Sequence, residues 1–275
     1  MKNYSINRSD LNTYYNVGKM LSEAGKHYGD GIIKEYSKRL TSDLGKGYTF
    51  SSLTRMKKFY MLIKKLATVS QQLTYGHYVE LLPMNDINEI KYYILISEQQ
   101  SLTIRQLRIK IKNKEYKRLS DNTKNKLITK DKSGIVDFIK NPILIKNCNN
   151  YADVSEKLLQ KLILEDVESF MNELGSSFSF IGSEYKIKLG NNYNYIDLLL
   201  FNYEYNCFVV VELKVTELKK EHVGQIQVYM NYIDKNIKKI NQDKTIGIII
   251  CKRNNKYVIE YCSDKRIISR EYELI

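Results

Sequence analysis

The spacing of apolar residues divides the chain into two stretches of different character. Through about residue 118, apolar positions recur three and four apart, as in amphipathic helices; from Phe178 on they gather in short runs, as in strands. Leu11 to Glu23 carries Leu11, Tyr14, Tyr15, Met20 and Leu21 at helical spacing, and Gly29-Asp-Gly31 follows as a turn. Ile32 to Leu44 is a second helix, ended by Gly45-Lys-Gly47. In Thr49 to Tyr60, Ser51 or Ser52 can cap a helix whose Leu53, Met56 and Tyr60 face inward, leaving Arg55, Lys57 and Lys58 outward. Gln72 to Leu82 stops at Pro83, Asn85 to Glu98 is a further helix, and Ser101 to Ile111 offers a cap and a second basic helix with Arg105 and Arg108. Helix, glycine turn and capped basic helix outline a helix-turn-helix, whose second helix enters the major groove. A solvated basic face on a plain bundle helix gives the same periodicity.

The second stretch alternates element types. Glu115 to Gly134 is polar and lysine-rich and reads as the linker or its helical approach, with the linker set at residues 119–150, in which Ile135 to Cys148 contains Pro142. Asp153 to Leu174 is an amphipathic helix carrying Leu158, Leu159, Leu162, Val167, Phe170 and Leu174, with Gly175 to end it. A sheet begins with Phe178 to Ile181 and runs on to Lys188. Tyr195 to Phe201 and Cys207 to Lys214 form a hairpin turning near Glu204 and Tyr205, Lys219 to Ile233 is a helix, and Thr245 to Cys251 a further strand.

The hairpin carries charge that buried strands avoid. Period two puts Glu212 and Lys214 on one face of their strand, and a register with Asp197 opposite Glu212 brings all three together; a slip of one residue would separate them. Two carboxylates side by side on apolar surface repel unless a cation sits between them. A hard ion such as Mg²⁺, or Mn²⁺, suits Asp197 and Glu212, with the Leu213 carbonyl as a further oxygen and Lys214 beside it to orient water or steady a phosphate. That equipment cuts phosphodiesters. Taken in isolation, the same three residues read rather as a half-buried hairpin with a structural ion pair.

The order strand, strand with ExK, helix with Gln225 and Tyr229 four apart, strand resembles the PD-(D/E)XK phosphodiesterase superfamily and the QxxxY element of its RecB-like branch. More closely, YIDLLLFN, FVVVELK, GQIQVYMNYID and TIGIIIC are similar to the YhcG family of bacterial proteins. GKGYTFSSLTRMKKFY, QLTYGHYVELL and SLTIRQLRIKI resemble that family's N-terminal region. The resemblance implies an α+β protein: an all-α, helix-turn-helix or winged-helix-like DNA-binding region over 1–118, and an α/β nuclease domain with a central mixed sheet over 151–275. It implies Asp197, Glu212 and Lys214 as catalytic residues and Gln225 as a polar positioning group. The family also offers a helix carboxylate to the metal, within a stretch like LEQAL. Aligned on the FMNELG segment, Gln160 of LLQKL stands at that position, a ligand without charge, and Glu156 or Glu165 lies near one helical turn away. His77, among aromatics, is assigned no chemistry.

Charge sharpens the division. The net +13 lies entirely in residues 1–130, with 24 Lys and Arg against 11 Asp and Glu, while the remainder carries 20 of each, so the first half is expected to face nucleic acid. No apolar run reaches a membrane span and the polar start has no signal-peptide core, which points to the cytoplasm and no membrane partner. Cys148, Cys207, Cys251 and Cys262 lack metal-ligand spacing and read as free thiols. Three functions fit: a Mg²⁺-dependent nuclease acting on DNA, a nucleic-acid-binding adaptor with a decayed nuclease domain, and a protein-interaction module whose basic face meets an acidic partner. Cutting both strands at once needs two catalytic domains, which makes a homodimer reasonable.

Overall fold

The structure, a computed structural model, describes residues 2–28, 31–44, 46–70, 72–129, 131, 134–175, 177–262 and 264–275. Gly29 and Asp30 of the first expected turn, Gly45 of the second, and Lys130, Lys132 and Ser133 of the expected linker lie outside them. The chain divides into two units, Met1–Lys117 and Arg118–Ile275.

Among the described residues the first unit is built from helices alone: α1 Lys2–Tyr28, α2 Gly31–Leu44, α3 Phe50–Leu66, α4 Tyr75–Leu81, α5 Ile87–Gln99 and α6 Ile104–Lys112, with no β wing. Leu21, Ile33, Leu53 and Met56 form the core that joins α1, α2 and α3. A Cβ added at Gly18 would stand 2.1 Å from the Met56 carbonyl, so only glycine lets α1 lie this close to α3. The expected inward faces need two adjustments: Met20 is 68% exposed, and Phe59, not Tyr60, is fully buried on α3. The α3 cap is Thr49, whose Oγ1 accepts from the Ser52 N–H at 3.3 Å, so Ser51 and Ser52 lie inside the first turn. His77 is structural. Its Nδ1 accepts from the Thr74 N–H at 3.2 Å to start α4, and its Nε2 donates to the Leu102 carbonyl at 2.9 Å.

The second unit contains α7 Asp121–Thr129, β1 Ile143–Ile145, α8 Glu156–Glu165, α9 Val167–Leu174, β2 Phe178–Leu189, β3 Asn192–Asn202, β4 Cys207–Glu217, α10 Lys220–Asn236, β5 Asp243–Arg253, α11 Lys256–Glu260 and β6 Ile267–Leu274. The six strands make one mixed sheet in the order β1-β6-β5-β4-β3-β2. The β2–β3–β4 meander is antiparallel, and β4, β5, β6 and β1 run parallel. Leu159, Leu162, Ile163, Phe170 and Leu174 pack on one face against Leu198, Val209, Val211, Leu213 and Ile250. Ile226, Met230 and Ile233 of α10 pack on the other against Leu199, Val210 and Ile249. This α+β arrangement is the one the sequence implies.

Two expectations change here. The stretch 119–150, besides the helix α7 that a helical approach allows, supplies the edge strand β1. Arg118 anchors it from inside, its guanidinium gripping Glu173 of α9 and donating to the Pro142 carbonyl at 2.7 Å. The expected single helix over Asp153 to Leu174 is two, because the Asp166 carboxylate accepts from the Ser169 N–H at 3.1 Å and starts α9 afresh.

Candidate active site

The site grows from the β3–β4 hairpin. Its turn is built by Asn202, whose Oδ1 accepts from the N–H groups of Glu204 at 3.1 Å and Tyr205 at 3.0 Å, the sort of local bond that makes asparagine a turn former. That turn fixes the register: Asn202 pairs with Cys207 and Leu198 with Val211, so that Asp197 and Glu212 follow immediately beyond the last pair. Regular pairing of β3 with β4 stops at Leu198 and Val211, and the Asp197 side chain takes over, its Oδ2 accepting from the Leu213 N–H at 2.7 Å.

Around this opening the sheet places charge in a nearly dry environment. Glu212 is 1% exposed and Lys214 8%. Lys214 Nζ lies 3.5 Å from Glu212 Oε2 and 3.3 Å from Oε2 of Glu156, which reaches in from the first turn of α8. Gln160, one turn along the same helix face, is buried and donates through Nε2 to the Asp197 carbonyl at 2.8 Å. Glu165 takes no part, standing 3.8 Å from Lys161 on α8 itself. Of the two acids weighed beside Gln160, Glu156 is therefore the one at the site.

The electrostatics follow from burial. Desolvation, and next the Asp197 charge, push the Glu212 carboxyl up to about 8 from an ordinary value near 4.5. Burial also raises Asp197, against the Leu213 N–H and Lys214, which favour its charged form. For Lys214 burial works against the ammonium, yet Glu212, Glu156 and Asp197 together hold its pKa above the ordinary lysine value. A structural ion pair accounts for Glu212 Oε2. It leaves Oε1, buried and without a hydrogen-bond partner, unexplained.

Helix α10 packs on the face of the sheet opposite α8. Gln225 donates through Nε2 to the Tyr229 hydroxyl at 3.1 Å, so the two members of the QxxxY pair hold each other. His222, three residues earlier and absent from the sequence reading, feels both Lys214 and Glu156; burial first and then the Lys214 charge lower its pKa. Its position on the same helix face as Gln225 was the available signal. Among the described residues no group of three or more His, Cys, Asp or Glu side chains is gathered as a ready metal cage.

The expected nucleic-acid contacts sit in the first unit, apart from this chemistry in sequence. Arg55 and Lys58 of α3 and Arg105 of α6 are exposed, and Lys57 is half-buried. Arg108 is committed: it holds Glu80 through two nitrogens, at 2.6 and 3.1 Å. Its charge is thereby offset, which the sequence, with the two residues 28 apart, did not disclose. No described helix is long and apolar enough to cross a membrane.

Comparison with known proteins places this arrangement. Residues 136–274 match the family model of the YhcG PDDEXK nuclease domain, and residues 2–118 that of the DUF1016 N-terminal domain. The chain is 22% identical to "Putative nuclease YhcG" of Escherichia coli (strain K12) in an alignment covering 98% of this chain and 84% of that protein. Among solved structures, a repair endonuclease from Pyrococcus abyssi is 16% identical, with a TM-score of 0.31, over 46% of this chain and 49% of its own. EndoMS in complex with dsDNA is 19% identical, with a TM-score of 0.31, over 46% and 48%. The chain thus spans about half the length of those two structures.

Proposed function

The chain belongs to the YhcG PDDEXK nuclease family, and from that premise we propose that it hydrolyses phosphodiester bonds of DNA with a divalent metal ion, Mg²⁺ or Mn²⁺, at Asp197, Glu212 and Lys214. The observation that carries the reading is the Glu212 carboxyl. Its Oε1 is buried with no partner, and its charged form is opposed by burial and by Asp197. A cation relieves both, so the donor set fits a hard divalent ion held by Asp197, Glu212 and the Leu213 carbonyl. Such an ion supplies Lewis-acid stabilisation of charge on the phosphate and a more acidic water.

The protein's own groups do the rest. The Leu213 N–H and Gln160 hold the Asp197 side chain and backbone in place from two sides. Lys214, kept protonated by three carboxylates, donates hydrogen bonds to a water or to the phosphate oxygen on which charge builds. Glu156 adds the negative charge that Gln160 lacks. Gln225 positions through Tyr229. Residues 1–118 hold the DNA through Arg55, Lys57, Lys58 and Arg105, with binding that weakens as salt rises. Two copies acting as a homodimer would cut both strands.

The test is cleavage of plasmid and linear DNA by purified protein with Mg²⁺ or Mn²⁺, beside titration calorimetry of each ion. Lys214→Ala is expected to lower the rate by about 100-fold or more, and Asp197→Ala/Glu212→Ala to abolish ion binding. Cleavage unchanged in Lys214→Ala would remove the assignment. A second reading, an adaptor that binds nucleic acid without cutting, draws on the uncharged Gln160. It requires salt-sensitive binding with no metal-dependent product.

A further inference from the structure

The β2–β3 hairpin extends beyond the sheet. β3 pairs with β4 only from Leu198 to Asn202, whereas its pairing with β2 continues to Asn192 and Leu189, so Tyr185–Leu189 and Asn192–Ile196 form a two-stranded arm. Such a ribbon is marginal alone. One face is anchored: Ile187 and Ile196 are buried in a cluster with Leu218 and Ile226. The opposite face carries two cross-strand pairs, Lys186 with Tyr195 and Lys188 with Tyr193. Tyr193 is 56% exposed and Tyr195 52%, and Lys186 Nζ lies 3.8 Å over the Tyr193 ring. Tyr195 stands two residues before Asp197, about 7 Å along the strand.

We propose that this outer face is a stacking platform for unpaired nucleotides, so that the substrate carries a single-stranded segment beside the phosphate to be cut; the proposal rests on the nuclease reading above. Aromatic faces in a field of lysines bind single strands because every base has a π-face and every link a phosphate. A base inside a duplex already has both faces covered by its neighbours and has none to offer Tyr193 or Tyr195. Scattered exposed tyrosines occur on any strand, but here a row of two tyrosines on β3 lies beside a row of two lysines on β2, on an arm whose other face is anchored by Ile187 and Ile196. The Lys186 ammonium over Tyr193 shows that this ring already accepts a flat-on partner. A single strand leaving the site along β3 meets Tyr195 first and Tyr193 next, with Lys186 and Lys188 beside its phosphates.

The experiment is fluorescence anisotropy of the full chain in EDTA, with a blunt duplex and the same duplex carrying a single-stranded overhang. The intact protein is expected to bind the overhang more tightly. Tyr193→Ala/Tyr195→Ala should lower overhang affinity about 30-fold or more, from at least roughly 1 kcal/mol for each of two stacked bases, and leave the blunt duplex unchanged, while Tyr193→Phe/Tyr195→Phe keeps the preference. Lys186→Gln/Lys188→Gln should reduce the salt slope for the overhang by about two. Equal affinity for both DNAs in the intact protein, or a Phe variant falling as far as the Ala variant, overturns the proposal. Because binding is read without metal, failure of the nuclease reading shows separately, as no cleavage in a parallel assay with Mg²⁺ or Mn²⁺ while the overhang preference in EDTA stays intact.

Discussion

Lys214 Nζ lies 3.3 Å from Glu156 Oε2, a contact from strand β4 to the first turn of helix α8. One turn on, the same helix sends in Gln160, which carries no charge and donates to the Asp197 backbone. Helix α8 therefore sets two roles on one face: Glu156 balances the lysine, and Gln160 braces the strand.

Gln160→Glu separates these roles. It removes the N–H donated to the Asp197 carbonyl and adds a fourth carboxylate to Asp197, Glu212 and Glu156. In EDTA the variant should lose about 1–3 kcal/mol, the penalty of an unmet buried polar group, seen as a lower Tm. Mg²⁺ should recover more Tm in the variant than in the parent, and calorimetry should show tighter binding. An unchanged Tm in EDTA would count against the Gln160–Asp197 bond.

The Glu212 carboxyl sets a pH dependence of the metal-free protein. Its folded pKa, about 8, is above the ordinary value near 4.5, so between these values the folded state binds the extra proton. Stability is therefore favoured at the acid end of that window and falls as pH rises through it, at about 1.36 kcal/mol for each unit by which the two pKa values differ, less any relaxation of the site. Glu212→Gln mimics the protonated form. Melting curves in EDTA from pH 5 to 9 should show the variant losing less stability than the parent, and parallel curves would place the titration elsewhere.

Glu173 tests the second unit's internal clasp. Its carboxylate meets the Arg118 guanidinium and also accepts from the Leu144 N–H at 3.0 Å, with both side chains under a tenth exposed. Glu173→Ala removes the carboxylate that balances a buried arginine and should lower stability by about 3–5 kcal/mol. Urea denaturation followed by circular dichroism reads this directly; a loss within the surface range of about 0.5 kcal/mol would show the clasp to be dispensable.

What was legible in the sequence shares a physical basis. Asp197, Glu212 and Lys214 stood out because charge in a β-branched run violates the pattern that strands otherwise keep, and the Asn202 turn fixes their register. Tertiary geometry hid the rest. The phase of α8 against β4, which selects Glu156 over Glu165, has no local signature. Strand β1 is three residues long beside Pro142, too short for any period, and its partner β6 lies more than a hundred residues away. The break between α8 and α9 rests on one bond from Asp166, inside a stretch whose apolar spacing runs on unbroken. Arg108 looked free because Glu80 sits on another helix.

Strand β1 has a practical consequence. It hydrogen-bonds to β6 from Ile143 with Tyr272 to Ile145 with Leu274 and so closes the parallel edge of the sheet. A catalytic fragment begun at residue 151 would leave β6 with an open row of backbone donors and acceptors, a template for joining other chains edge to edge. One begun at Arg118 keeps that edge capped. The short segment ahead of α8 thus covers a sheet edge that would otherwise be open to pairing.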